Sequence, residues 1–134
     1  KNKIPVMGHL GILPQTDKKF TFKGKKSFER NRILKEAKLL EAAGIFSIVL
    51  ECIELKLSKV ITNKLTIPTI GIGSSANCDG QVLVIDDLIG LTESKFRFVK
   101  KYVNMSKIIN GAVRKYKHEV LRKQFPKSKH SFKN

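Results

Sequence analysis

The chain has 134 residues, 41% of them hydrophobic, and a formal net charge of +16. That size suits one soluble domain with a core; no apolar run reaches the roughly 18–20 residues of a membrane span, and residues 1–6 lack the apolar region and cleavage site of a signal peptide. The charge raises nucleic acid as a partner, but lysine far outnumbers arginine, the lysines are scattered, and no aromatics interleave with them for base stacking, so that reading is disfavoured.

In chain order, Ile4-Pro-Val-Met7 reads as a short strand running into Gly8-His9-Leu10-Gly11. Residues 13–26 are basic and irregular, with an extended piece at 20–22. Ser27 is an expected N-cap for a helix to about Ala43, because Ile33, Leu34, Ala37 and Leu40 recur at helical spacing. Gly44 supplies the stop. The next strand, residues 46–50, ends on the carboxylate of Glu51. Ile53, Leu57, Val60 and Ile61 mark a second helix ending near Lys64. Residues 67–72 form a third strand with Pro68 at its start, where a missing N–H is tolerated. A Gly/Ser/Asn-rich loop from Gly73 to Gly80 leads to a fourth strand over 81–85. Two helices are expected after it, one lined by Phe96, Val99 and Val103, the other by Ile108, Ala112, Val113, Tyr116 and Val120. Residues 124–134 form a basic, extended tail.

Strands alternating with helices indicate an α/β fold with a parallel sheet and right-handed crossovers. Such strands need cover on both faces. A (β/α)8 barrel requires eight units and about 250 residues; four are legible here, and the chain opens directly on a strand, so it reads as half of such a barrel. Residues 1–123 would form that half and 124–134 the tail. Cys52 and Cys78 make no metal-ligand pattern and read as free thiols of a cytoplasmic protein, with a disulfide between them as the alternative.

In a barrel, residues at the carboxyl ends of strands face the active site. Glu51 there could act as a general base. It could equally cap the next helix or pair with a lysine. His9 could donate a hydrogen bond to a substrate anion or satisfy loop carbonyls. His118 reads as solvated, and His130 as a fixing point for the tail. The loop from Gly73 to Gly80 could bind an anion through backbone N–H groups or serve as a tight connection. The basic stretches at 95–101 and 114–123 read as outer faces that could steer anions inward.

Several segments together resemble the C-terminal half of the ketopantoate hydroxymethyltransferase family. They are Val6-Met-Gly-His-Leu-Gly-Ile-Leu-Pro-Gln15, Glu41-Ala-Ala-Gly-Ile-Phe-Ser-Ile-Val-Leu-Glu-Cys-Ile53, Ile67-Pro-Thr-Ile-Gly-Ile-Gly73, Cys78-Asp-Gly-Gln-Val-Leu-Val84 and His130-Ser-Phe132. The resemblance implies a (β/α)8 barrel that transfers a hydroxymethyl group from 5,10-methylenetetrahydrofolate to 3-methyl-2-oxobutanoate. It further implies a magnesium ion on the keto acid, held by ligands in the half absent here, and a homodecamer. Glu51 would be the proton acceptor, and His9 would contribute to the substrate pocket. The chain departs from the family pattern in a shorter loop at 16–23 and in Gly73-Ser74-Ser75 where the family usually has Gly-Ala-Gly. Neither Asp86 nor Asp87 is assigned a catalytic role. Two other readings stand beside this one: a magnesium-dependent lyase or mutase of the phosphoenolpyruvate-mutase and isocitrate-lyase type, and a non-catalytic basic binding protein.

Overall fold

Apolar residues four apart make the first helix, and alternating ones make the strand it covers. A computed structural model describes residues 4–15 and 21–132. The chain divides into two compact units, Lys1–Leu83 and Val84–Asn134.

The first unit runs β1 (Met7–Gly11), α1 (Ser27–Ala42), β2 (Ser47–Glu51), α2 (Leu55–Lys64), β3 (Thr69–Ile72) and β4 (Gly80–Gln81). The four strands lie in that spatial order and are all parallel. The α/β class and the parallel sheet are therefore as the sequence predicts. The expected four strand–helix units are not all present. Two are complete; β3 and β4 are then joined by residues 73–79 with no helix between them. A short connection suffices because β4 pairs only with Ile70 and Gly71. The chain has to step back by only about two residues, roughly 7 Å.

Ile33 and Ala37 of α1 and Leu57 and Ile61 of α2 are buried against Ile48 and Leu50 of β2, with Ile45, Ile53 and Leu65 completing the core. Each buried aliphatic side chain contributes about 1.5–3 kcal/mol relative to exposure. Gly44, at φ +88°, ends α1, and its N–H bonds Glu41 O at 2.9 Å. The start of α1 differs from the expectation: Lys26 is the N-cap, without a side-chain bond, and Ser27 is already helical. The carboxylate of Glu29 instead takes the N–H groups of Gly24 and Lys25.

Side chains alternate along a strand, so Ile48 and Leu50 face the helices while Ser47, Val49 and Glu51 face the opposite side. The register places His9 beside Val49, Gly11 beside Glu51, and Ile72 beside Glu51 from the other flank. Met7, His9, Ile70 and Ile72 thus share the face of Glu51. Met7 is 47% exposed there, and Val49, Ile70 and Ile72 are half-buried.

The second unit contains α3 (Ile85–Leu88), α4 (Met105–Leu121) and a 3-10 turn over Ser128–His130. Two expectations fail in the latter part of the chain. The fourth strand ends at Gln81, and Ile85 begins a helix. The helix expected to be lined by Phe96, Val99 and Val103 does not form; residues 92–104 are irregular. Their backbone is bound elsewhere: Tyr102 N–H donates to Leu88 O at 2.8 Å, and Phe96 stacks on Phe98, two residues on, a pairing no helix allows. The expected helix through Ile108 and Val120 is α4, capped by Asn104, whose side chain accepts the Lys107 N–H at 2.9 Å. The tail carries the 3-10 turn; in it His130 Nδ1 accepts the Lys127 N–H at 3.2 Å. The shortened loop at 16–23 lies mostly outside the described residues.

Candidate active site

Glu51 is the last residue of β2, and its side chain is 12% exposed. It does not cap the following helix. Glu54 does that, accepting the N–H groups of Lys56 and Leu57 at 3.1 and 2.9 Å and pairing with Arg30 at 3.3 Å. Burial acts to raise the pKa of Glu54, but those N–H donors and the Arg30 charge outweigh it and hold the carboxyl below its ordinary range. The helix-cap alternative for Glu51 is thereby taken by its neighbour three residues on.

His9 sits in the middle of β1, not beyond its end. Its Nε2 lies 3.3 Å from Glu51 Oε2 and 2.9 Å from the carbonyl of Ile12. A carbonyl can only accept, so Nε2 carries the proton and points at both oxygens. The two residues singled out from the sequence are brought together on one face of the sheet.

The backbone at this end of the sheet is tightly specified. Gly11 has φ +113°, and a Cβ on it would come within 1.9 Å of Glu51 O. Only glycine permits β1 to approach so closely. Ile12 N–H then donates to that same Glu51 carbonyl at 3.0 Å. Cys52 follows with φ +50°, the left-handed region that L-residues rarely adopt. Its N–H donates to Ile72 O and its carbonyl accepts the Lys23 N–H, both at 2.8 Å. Burial, with the Glu51 charge adding to it, pushes the Cys52 thiol pKa up. Ser74 completes the junction. Its hydroxyl donates to Leu50 O at 2.7 Å and accepts the Ile53 N–H at 3.1 Å. Ser74 stands out in the sequence only as a departure from the family's usual Gly-Ala-Gly, with no role attached, and nothing local points to the Ile12 carbonyl.

The loop from residue 73 to 79 is a connection held by its own side chains. Asp79 accepts the N–H and hydroxyl of Thr69 at 2.8 and 2.9 Å, and Gln81 donates to Ser75 O at 2.9 Å. His118 is exposed in the last turn of α4. Asp86 and Asp87 lie in the first turn of α3, where Asp87 bonds the Thr92 hydroxyl.

Among the described residues no group of three His, Cys, Asp or Glu side chains could hold a metal. Glu51 and His9 offer one carboxylate and one imidazole, whereas magnesium prefers six oxygen ligands in near-octahedral geometry. These residues do not fit a magnesium site on their own. Among the described residues, too, no helix is long and apolar enough to cross a membrane.

Comparison with known proteins supplies the family. The chain is 61% identical over 132 residues to 3-methyl-2-oxobutanoate hydroxymethyltransferase of Pelagibacter ubique, a match covering 98% of this chain and 51% of that protein. It is 50% identical to the protein of that name from Syntrophus aciditrophicus, over 96% of this chain and 49% of the relative. The corresponding figures for Carboxydothermus hydrogenoformans are 47%, 96% and 48%. The chain thus spans about half the length of the curated relatives it matches. Residues 1–128 match the family described as ketopantoate hydroxymethyltransferase, and on that match the chain belongs to this family.

Proposed function

We propose that this chain is the C-terminal half of a (β/α)8 barrel that transfers a hydroxymethyl group from 5,10-methylenetetrahydrofolate to 3-methyl-2-oxobutanoate, giving 2-dehydropantoate. The relatives' shared name supports the reaction. The placement of Glu51 carries the assignment of residues: a carboxylate at the carboxyl end of a parallel strand, on the face away from the helices, 3.3 Å from an imidazole.

In this reading Glu51 removes the proton from C3 of the keto acid, and the electron pair of that C–H bond passes into the enolate. The enolate carbon then bonds the one-carbon unit, which water has freed at the formaldehyde level by cleavage of its two C–N bonds to the folate. Tetrahydrofolate is the leaving group, and the new alkoxide takes back the proton held by Glu51 to become the hydroxymethyl group. His9 holds Oε2 of Glu51 through its Nε2–H, so Oε1 is the oxygen that takes the proton. The His9 ring, with 34% of its side chain exposed, contributes to the keto acid pocket in the same reading. Any magnesium draws its ligands from the other half, since the residues here do not make a site for it. A homo-oligomer in the cytoplasm belongs to the same proposal, supported by the family resemblance alone.

The test joins this chain to the remaining half of the Pelagibacter relative and follows 2-dehydropantoate formation with magnesium and the folate donor. Glu51→Gln is expected to lower turnover by about 100- to 10,000-fold, the usual contribution of a positioned base, in a protein that still folds. A folded joined protein without activity sinks the reaction assigned here, and full activity in Glu51→Gln sinks the role of the carboxylate.

A further inference from the structure

We infer that Ser74 is a positioning residue for Glu51, acting through the backbone that carries it; the inference rests on the reading of Glu51 as the proton acceptor. The polypeptide turns sharply directly after this carboxylate. Glu51 is extended as the last residue of β2, and Cys52 is left-handed at φ +50°. An extended residue followed by a left-handed one is the backbone order of a type II turn, in which the carbonyl of the first residue would bond the N–H of the fourth. Here those two groups are Leu50 C=O and Ile53 N–H, and the hydroxyl of Ser74 stands between them. It donates to Leu50 O at 2.7 Å and accepts from Ile53 N at 3.1 Å.

The other polar groups of the turn have backbone partners. Ile12 N–H takes the Glu51 carbonyl, Ile72 O takes the Cys52 N–H, and Lys23 N–H takes the Cys52 carbonyl. Ser74 is the side chain that closes the set. It can reach because β3 pairs with β2 as far as Ile72 beside Glu51, so the loop after β3 begins at the level of the turn. One hydroxyl therefore fixes the spacing of the residues on both sides of the Glu51–Cys52 peptide, and with it the direction in which the carboxylate leaves the strand. His9 holds the far end of the same side chain at 3.3 Å. The carboxylate is located at its root by Ser74 and at its tip by His9.

Removing the hydroxyl leaves the Ile53 N–H without its partner and takes one of its donors from the Leu50 carbonyl. The turn then either closes on a direct bond or opens, and each outcome re-aims Glu51. Misplacement of a reacting group by about 1 Å can cost about 100-fold in rate; a shift smaller than that is expected here. Alanine is what the family usually carries at this position, and this chain builds its turn around a hydroxyl instead. In the joined protein, Ser74→Ala should therefore lower kcat about tenfold while KM stays within about twofold, a split that marks a loss in the chemical step. Ser74→Thr, which keeps the hydroxyl, should restore kcat to within about threefold. In the present chain, NMR should show the Glu51 carboxyl carbon and the His9 ring nitrogens shifted by Ser74→Ala and returned by Ser74→Thr. Ser74→Cys, with a weaker and longer bond, gives an intermediate response and serves if the alanine variant does not fold. Unchanged kcat and unchanged Glu51 and His9 signals in folded Ser74→Ala overturn the inference. So does a kcat loss that merely follows the folded fraction. If the joined protein is inactive with Ser74 intact, the reading of Glu51 as the base fails, and the NMR comparison still decides whether Ser74 sets its position.

Discussion

Glu51 could be found in the sequence because it closes an apolar run of strand length, and such ends recur as sites in parallel folds. What it touches could not be found there. The contacts of His9 with Glu51, and of Ser74 with Leu50 and Ile53, join residues 42, 24 and 21 positions apart; no local pattern encodes them. The capping question shows the same limit. Glu51 and Glu54 are equally plausible caps by composition, and only the position where α2 starts gives the role to Glu54. Ser47 is a different case. It is 4% exposed, and its hydroxyl is without a hydrogen bond among the described residues. A buried polar group left unpaired costs about 1–3 kcal/mol. Ser47→Ala removes that group with little change in volume and should stabilise the chain by about 1 kcal/mol, raising Tm by a few degrees. Thermal unfolding of the two forms checks this, and a lower Tm for the alanine variant contradicts it.

The helices α1 and α2 and the strand between them were legible because periodicity, burial and a terminating glycine agree: Ile33 and Ala37 are buried, Ile48 and Leu50 are buried, and Gly44 takes the left-handed conformation. Elements failed where backbone partners outweighed side-chain character. Val82 and Val84 belong to a β-branched run that reads as a strand, yet the ladder of β4 is only Gly80 and Gln81. Asp79 anchors the start of β4 to Thr69, the Val82 N–H makes one further bond to Gly71 O, and the chain then turns into α3. That anchor is electrostatic in part. The N–H and then the hydroxyl of Thr69 donate to Asp79 and hold its pKa below the ordinary value. A folded pKa below the unfolded one means the carboxylate stabilises the fold at neutral pH, and this contribution disappears as pH falls through the lowered value. Asp79→Asn should therefore be less stable than the parent chain at neutral pH, and the two should converge only once the pH has fallen below the usual aspartate range. Urea midpoints at neutral and at acid pH test the sign. Glu41, lowered by the Thr66 N–H and hydroxyl, remains in both forms, so some acid sensitivity persists in the variant.

At the scale of the whole molecule, the family is settled, and the chain spans about half the length of its curated relatives. One consequence is measurable directly. A ligand that binds only the folded state raises stability in proportion to its occupancy, by about 2.7 kcal/mol at a hundred times its Kd. With no group of three ligands among the described residues, millimolar magnesium or EDTA should leave the Tm of this chain unmoved; a clear rise with magnesium would reveal a site. The net charge of +16 favours encounter with anions in general; the keto acid and the folate donor of the proposed reaction would both be anionic, so under that proposal the charge bears on the rate of approach more than on the fold. A final consequence concerns the side of the sheet that α1 and α2 leave to others, where Met7, Val49, Ile70 and Ile72 keep exposed surface beside Glu51. If two polypeptides meet there instead of one chain folding back, catalysis obeys mass action: output per molecule climbs with concentration until the pieces are fully paired, and dilution alone switches it off.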